Sequence, residues 1–231
     1  MSALRLVSAG AAQALVGALA SREGIHVAGA FGAVGAMLEK FGSGEDCDVL
    51  ILTRAQIDAL VRDGLVVGET VTDLGTVPTA IAVRAGQPLP DVSGEAGLRA
   101  ALLAADAIYF PDPAKATAGI HFAKVLDLLG IRPTIEARVR TFPNGASAMR
   151  TMAESRGHPI GCTQATEILA TQGVHLVAPL PLGFELETTY TAAVNAKAAD
   201  PLRARAFVNA LGGASSRELR ATAGFAPPAA R

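Results

Sequence analysis

With 231 residues, half of them hydrophobic and 18% charged, the chain can bury a sizeable core and has the composition of a buried α/β sheet, which excludes a disordered or fibrous chain. A formal net charge of −1, with no block of like charges, argues against nucleic acid or an anionic membrane as partner. Aromatics make up 4% and Trp is absent, so no stacking platform for bases or sugars is expected, and no apolar run is long enough to span a bilayer.

The chain enters a strand at once, Leu4–Val7, with no basic n-region, h-region or cleavage site before it. The apolar stretch Ala11–Ala20 follows that strand and reads as part of a helix, Ala11–Arg22. The expected location is therefore the cytoplasm for the sequence as written, and the periplasm if this is a mature form. Ile25–Phe31 reads as a second strand and Val34–Phe41 as a second helix. Asp48-Val49-Leu50-Ile51-Leu52 is a continuous apolar strand of the kind buried on both faces of a parallel sheet, and Ala55–Asp63 is the next helix. This β-α-β-α-β-α rhythm predicts right-handed crossovers and a parallel sheet.

Val66–Thr72 and Thr79–Val83 read as two strands without an intervening helix, as when a chain leaves one lobe for another. Ser93–Ala105 is predicted as a helix with a Ser N-cap and Glu95 in its first turn. A second α/β series follows: strand Ile108–Phe110, a helix ending at Leu129-Gly130, strand Arg138–Phe142, helix Ala146–Arg156, then strands Pro159–Cys162 and Val174–Ala178. Glu187–Asn195 is β-rich and recrosses to the first lobe. Leu202–Leu211 and Ser216–Thr222 close the fold, and the tail from Pro228 to Arg231 is expected to be loose. The predicted organisation is a discontinuous lobe of residues 1–80 plus 190–231 and an inserted lobe of 81–189. A cleft between two such lobes is the default ligand site. Cys47 and Cys162 lack metal-ligand spacing and read as buried free thiols. No metal and no cofactor are expected.

The most informative stretch is Asp112-Pro113-Ala114-Lys115-Ala116-Thr117-Ala118-Gly119-Ile120, between an apolar strand and a helix. Strand, turn, small residues, then helix presents backbone amides that have no intrahelical partner, and the helix dipole adds partial positive charge. The same device recurs at Val7-Ser8-Ala9-Gly10-Ala11, at Phe31-Gly32-Ala33-Val34-Gly35-Ala36, at Thr53-Arg54, at Asn144-Gly145-Ala146-Ser147 and at Thr163-Gln164. Together these turns point to a small, oxygen-rich ligand held by neutral amides and hydroxyls. Arg54, just past a central strand, reads equally as a fork for a carboxylate or as a helix-start Arg paired with an acid such as Asp58. His121, one turn into its helix, reads first as a packing residue. No nucleophile elbow, phosphate loop or metal box is present, and Glu154, Glu167, Glu185 and Glu187 form no recognisable ligand set.

These landmarks, with Asp48-Val49-Leu50-Ile51, the Asp112-Pro113…Ala118-Gly119-Ile120…Leu128-Leu129-Gly130 block, Pro159-Ile160-Gly161, Tyr190 with Ala193-Val194, and Gly224-Phe225, resemble the molybdate-binding protein family of the type II periplasmic binding fold. The resemblance covers nearly the whole chain. It implies a two-lobe α/β fold that closes by a hinge motion on a tetrahedral oxyanion, and an ABC permease as partner for an exported form. It places ligand contacts at Ser8 or Gly10, at Ala33, Val34 and Gly35, at Ala118, near Ala146, and at Gln164. The adjoining Thr117 and Ser147 complete the expected set. Two departures stand out: the turn after the second strand has Ala33-Val34-Gly35 where the family is rich in Ser, and Gln164 stands where it has a tyrosine. The resemblance also allows a small carboxylate as ligand. An alternative is an isomerase of small carboxylates, similar to aconitate isomerase, with Arg54 and either Lys115 or His121 as candidate catalytic residues. A cytoplasmic anion sensor is the third reading.

Overall fold

Three strands whose side chains are almost all apolar organise the first half of the chain. In the computed structural model, residues 2–227 are described. They form β1 (Leu4–Ala9), α1 (Gln13–Glu23), β2 (Val27–Gly32), α2 (Val34–Gly42), β3 (Val49–Thr53) and α3 (Arg54–Arg62). The predicted loose tail, Pro228–Arg231, lies outside the described residues. The chain then runs through β4 (Thr72–Arg84), α4 (Glu95–Ala104), β5 (Ile108–Pro111), α5 (Thr117–Leu128), α6 (Arg132–Ile135), β6 (Val139–Phe142), α7 (Gly145–Glu154), β7 (Ile160–Gln164), α8 (Ala165–Leu169), β8 (Val174–Pro179), β9 (Glu187–Val194), α9 (Pro201–Gly212) and α10 (Arg217–Thr222). Two compact units result: unit 2 is Pro78–Glu187, and unit 1 is the chain on either side of it.

In unit 1 the strand order is β2-β1-β3-β9, with β1 parallel to β2 and β3, and β9 antiparallel to β3. Leu6, Val7, Val49, Leu50 and Ile51 are buried, as expected of central strands covered on both faces. Helix α1 brings Leu15, Val16 and Leu19 to this core, and α9 brings Phe207, Val208 and Leu211. In unit 2, β5 is parallel to β6 and β7, while β4 is antiparallel to both β7 and β8. Its core gathers Leu98, Phe110, Phe122, Leu126 and Ile160, with Phe110 and Phe122 meeting edge-on at 5.3 Å.

Three expectations need correction. Val66–Thr72 is not a strand: Val66 makes one bridge to Asn195, Gly68–Thr70 is a 3-10 turn, and a single strand of 13 residues, β4, replaces the two predicted ones. Gly75 continues the strand at φ +141°, where a Cβ would strike the carbonyl of Ala226. Ser93 does not cap α4. Gly94 is the N-cap, and the Ser93 hydroxyl donates to Asp91 at 2.7 Å. Short helices α6 and α8, absent from the sequence reading, fill the connections after α5 and β7.

Candidate functional site

Unit 1 collects its candidate residues at the carboxyl edge of parallel strands. Registers Ser8↔Phe31 and Ser8↔Ile51 place the Ser8–Gly10 turn, the Gly32–Gly35 turn and Thr53-Arg54 along that edge. Ser8 is fully buried and its hydroxyl donates to the carbonyl of Ala9 at 3.0 Å. Helix α2 starts after Ala33, which supplies no side-chain cap. Ala33 and Val34 are buried and Gly35 is half-buried.

Arg54 opens α3 with its charge already matched. Its Nε donates to Asp58 at 2.7 Å, and its Nη1 reaches both oxygens of Asp73 at 3.0 and 3.1 Å. Asp73 also accepts from the Thr191 hydroxyl at 2.7 Å. Of the two sequence readings of Arg54, the structure shows the pairing with Asp58, extended to a second carboxylate.

Unit 2 repeats the arrangement. Registers Pro111↔Phe142 and Tyr109↔Gly161 bring the Asp112–Ala118 turn, the Asn144–Ser147 turn and Gln164 to the carboxyl edge of β5, β6 and β7. The Asp112 carboxylate accepts from the amides of Ala114 and Lys115 at 2.7 and 3.2 Å, shaping the turn before α5. Ala116 precedes α5 without a side-chain cap, and Ala118 is buried. Gly119 serves packing: a Cβ there would collide with the carbonyls of Pro111 and Asp112. Lys115 is exposed. His121 places Nε2 2.7 Å from the carbonyl of Phe184, so this nitrogen carries the hydrogen and donates it.

Helix α7 differs from α2 and α5, because its first-turn amides are taken within the unit. Asn144 Oδ1 accepts from the amide of Ser147 at 2.9 Å, and the Ser147 hydroxyl donates back to the Asn144 carbonyl at 2.8 Å. The amides of Gly145 and Ala146 donate to the carboxylate of Glu167. Glu167 also accepts from the amide of Gln164 and, at 2.6 Å, from the hydroxyl of Thr163. Burial pushes Glu167 above the usual carboxylate range, and these four donors partly offset that push. Glu167 is the residue that sequence reasoning passed over. The signal was its spacing, three residues after Gln164, the N-cap of α8, from where a Glu side chain reaches back to the N-cap amide. Near it, the hydroxyl oxygens of Thr79 and Thr166 are buried without a hydrogen-bond partner, and Thr79 stands opposite Gln164 in the β4–β7 pairing. Among the described residues no group of three His, Cys, Asp or Glu side chains is arranged to hold a metal ion. Among them, too, no helix is long and apolar enough to cross a membrane.

A family model described as bacterial extracellular solute-binding protein matches residues 4–226. An aconitate isomerase from a Pseudomonas species is 26% identical over 196 residues, covering 83% of this chain and 72% of the relative. Among solved structures, the periplasmic molybdate-binding protein of Azotobacter vinelandii superposes with a TM-score of 0.75 at 17% identity, covering 97% of this chain and 99% of the other. The sulfate-binding protein of Mycobacterium tuberculosis gives 0.72 at 21% identity, covering 98% and 87%. These likenesses establish the α/β fold of type II periplasmic binding proteins.

Proposed function

Because the chain belongs to the bacterial extracellular solute-binding protein family, we propose that it binds a small anionic solute, either an oxyanion or a small carboxylate. The observation that supports this reading is shared by both units. Helix α2 in unit 1 and helix α5 in unit 2 each begin at the carboxyl edge of parallel strands, behind an alanine that offers no cap. First-turn amides in that position have no intrahelical acceptor and carry the positive end of the helix dipole. The proposed contacts are the turn at Ser8–Gly10, the amides of Ala33, Val34 and Gly35, those of Thr117 and Ala118, and Gln164. Arg54 is left out, since two carboxylates already hold its guanidinium. An ABC permease is the proposed partner of an exported form. The test is calorimetry with molybdate, tungstate, sulfate, cis-aconitate, trans-aconitate and citrate. Saturable binding of one of these supports the reading, and no heat with any of them overturns it.

A second reading, favoured by the 26% identity to an aconitate isomerase, is isomerisation of a small tricarboxylate. Lys115 is its candidate base; His121 enters only through Nδ1, since Nε2 donates to Phe184. Incubation with trans-aconitate followed by chromatography decides it: formation of cis-aconitate supports the enzyme, and unchanged substrate rules it out.

A further inference from the structure

Helix α7 already has its anion. The carboxylate of Glu167 accepts from the amides of Gly145 and Ala146 at the start of that helix, from the amide of Gln164, and from the hydroxyl of Thr163 at 2.6 Å. Four donors match the acceptor-only capacity of an ionised carboxylate. The fit is tight, because a Cβ on Gly145 would collide with both Oε2 of Glu167 and Oγ1 of Thr163. With Ser147 donating to Asn144, none of the first three amides of α7 is left for an incoming anion. Two of the expected ligand-contact positions, Ala146 and Gln164, are thus direct hydrogen-bond neighbours of the Glu167 carboxyl group.

We infer that Glu167 is a specificity-determining residue: as the resident anion of α7 it occupies amides that a compact tetrahedral dianion would use, and so it selects against such dianions and in favour of carboxylates. This rests on the reading of the chain as a binder of small anions. A dianion concentrates two charges on one small group, so repulsion from a buried carboxylate falls on it more heavily than on a carboxylate group with a single charge.

The variant Glu167→Gln keeps the shape and removes the charge. Affinities for molybdate, sulfate, cis-aconitate and citrate, measured by calorimetry on wild type and variant, are expected to show at least a tenfold gain for molybdate or sulfate. Carboxylate affinities are expected to change less than threefold. A purely structural role would move all four together. An unchanged ratio of dianion to carboxylate affinity overturns the inference while leaving the small-anion reading intact. If wild type binds none of the probes and the variant gains molybdate or sulfate, the inference stands and the wild-type binding reading fails; if neither binds anything, both fail. Should the variant not fold, hydrogen exchange on wild type decides. The amides of Gly145 and Ala146 are expected to be protected without ligand and unchanged by molybdate, and fast exchange that molybdate slows overturns the inference.

Discussion

The hydroxyl of Thr163 lies 2.6 Å from Oε2 of Glu167, and this bond ties the end of β7 to the first turn of α8 while the same carboxylate holds the start of α7. Both side chains are buried, so neither partner falls back on water when the other is lost. Thr163→Val keeps the volume and removes one of four donors from a buried anion. A hydrogen bond to a charged group contributes roughly 1.5–3 kcal/mol, so a loss of about 2 kcal/mol in urea-unfolding stability is expected. A change within about 0.5 kcal/mol, the range of ordinary surface substitutions, would show that the bond carries no weight.

In unit 1, Asp48 is the corresponding buried anion. It accepts from the backbone amide of Arg5 at 2.9 Å, from the amide of Ala199 at 3.0 Å, and from the Arg5 guanidinium at 3.4 and 3.5 Å. Burial alone would raise its pKa, but the Arg5 and Ala199 donors together outweigh burial and hold it below the ordinary value. A depressed carboxyl pKa contributes stability that is present above the unfolded value, about 3.9, and is lost as pH falls through the folded value. Asp48→Asn is therefore expected to be less stable than wild type at pH 7 by about 2 kcal/mol. The gap should shrink as pH is lowered below about 4. Urea midpoints at pH 7, 5 and 3.5 check this, and a gap independent of pH would contradict it.

The two thiols are predicted to be silent in the folded protein. Cys47 and Cys162 are both buried and free, which agrees with their sequence reading as core thiols. Burial pushes Cys47 up to about 11 and Cys162 well above its ordinary value, so the reactive thiolate is scarce at pH 8. Titration with a thiol-reactive disulfide reagent is expected to count close to zero thiols in the native protein and two after denaturation. A rapid native reaction at either position would mean that its cover opens easily.

Arg54 is expected to matter more for stability than for ligand. It bridges Asp58 and Asp73, and Asp73 is further held by Thr191. Arg54→Ala takes from Asp73, about four-fifths buried, the guanidinium that reaches both of its oxygens. A loss of about 1–2 kcal/mol in unfolding stability is expected, between the values for exposed and for buried pairs. Affinity for whichever anion binds should change less than threefold. A loss of carboxylate binding beyond tenfold, with stability unchanged, would return Arg54 to the ligand.

Local pattern carried most of the fold. The continuous apolar run Val49–Leu52 announced a covered central strand, and the small-residue turns at Ala33 and Ala116 announced helix starts at strand ends. What escaped was set by partners distant in sequence. The strand β4 continues through Gly75 because the backbone of Ala226, some 150 residues later, packs against it, and no local window contains that contact. The same holds for the site. A helix start with small residues looks alike at α5 and α7, but α7 is filled by Glu167, whose approach depends on how β7 and α8 pack beside it. Arg54 was ambiguous because Asp58 is visible one turn ahead, whereas Asp73 joins it only through tertiary structure.

Two glycines separate backbone need from packing need. Gly17 lies inside α1, where a Cβ would meet nothing within 4 Å, so its absent side chain only adds freedom to the unfolded chain. Gly17→Ala is expected to stabilise by about 0.5–1 kcal/mol, through helix propensity and reduced unfolded-state entropy. Gly119 lies in the first turn of α5 with the carbonyls of Pro111 and Asp112 against the place a Cβ would take. The same substitution there must push α5 away from the end of β5, an overpacking that costs about 1–3 kcal/mol. It also displaces the Thr117 and Ala118 amides proposed to meet the ligand, so Gly119→Ala should weaken anion binding at least tenfold, while Gly17→Ala leaves it unchanged. Urea unfolding and calorimetry on the two variants side by side test both halves. Equal stability effects in the two would contradict the packing argument. Full anion affinity in Gly119→Ala would take the α5 amides out of the proposed site.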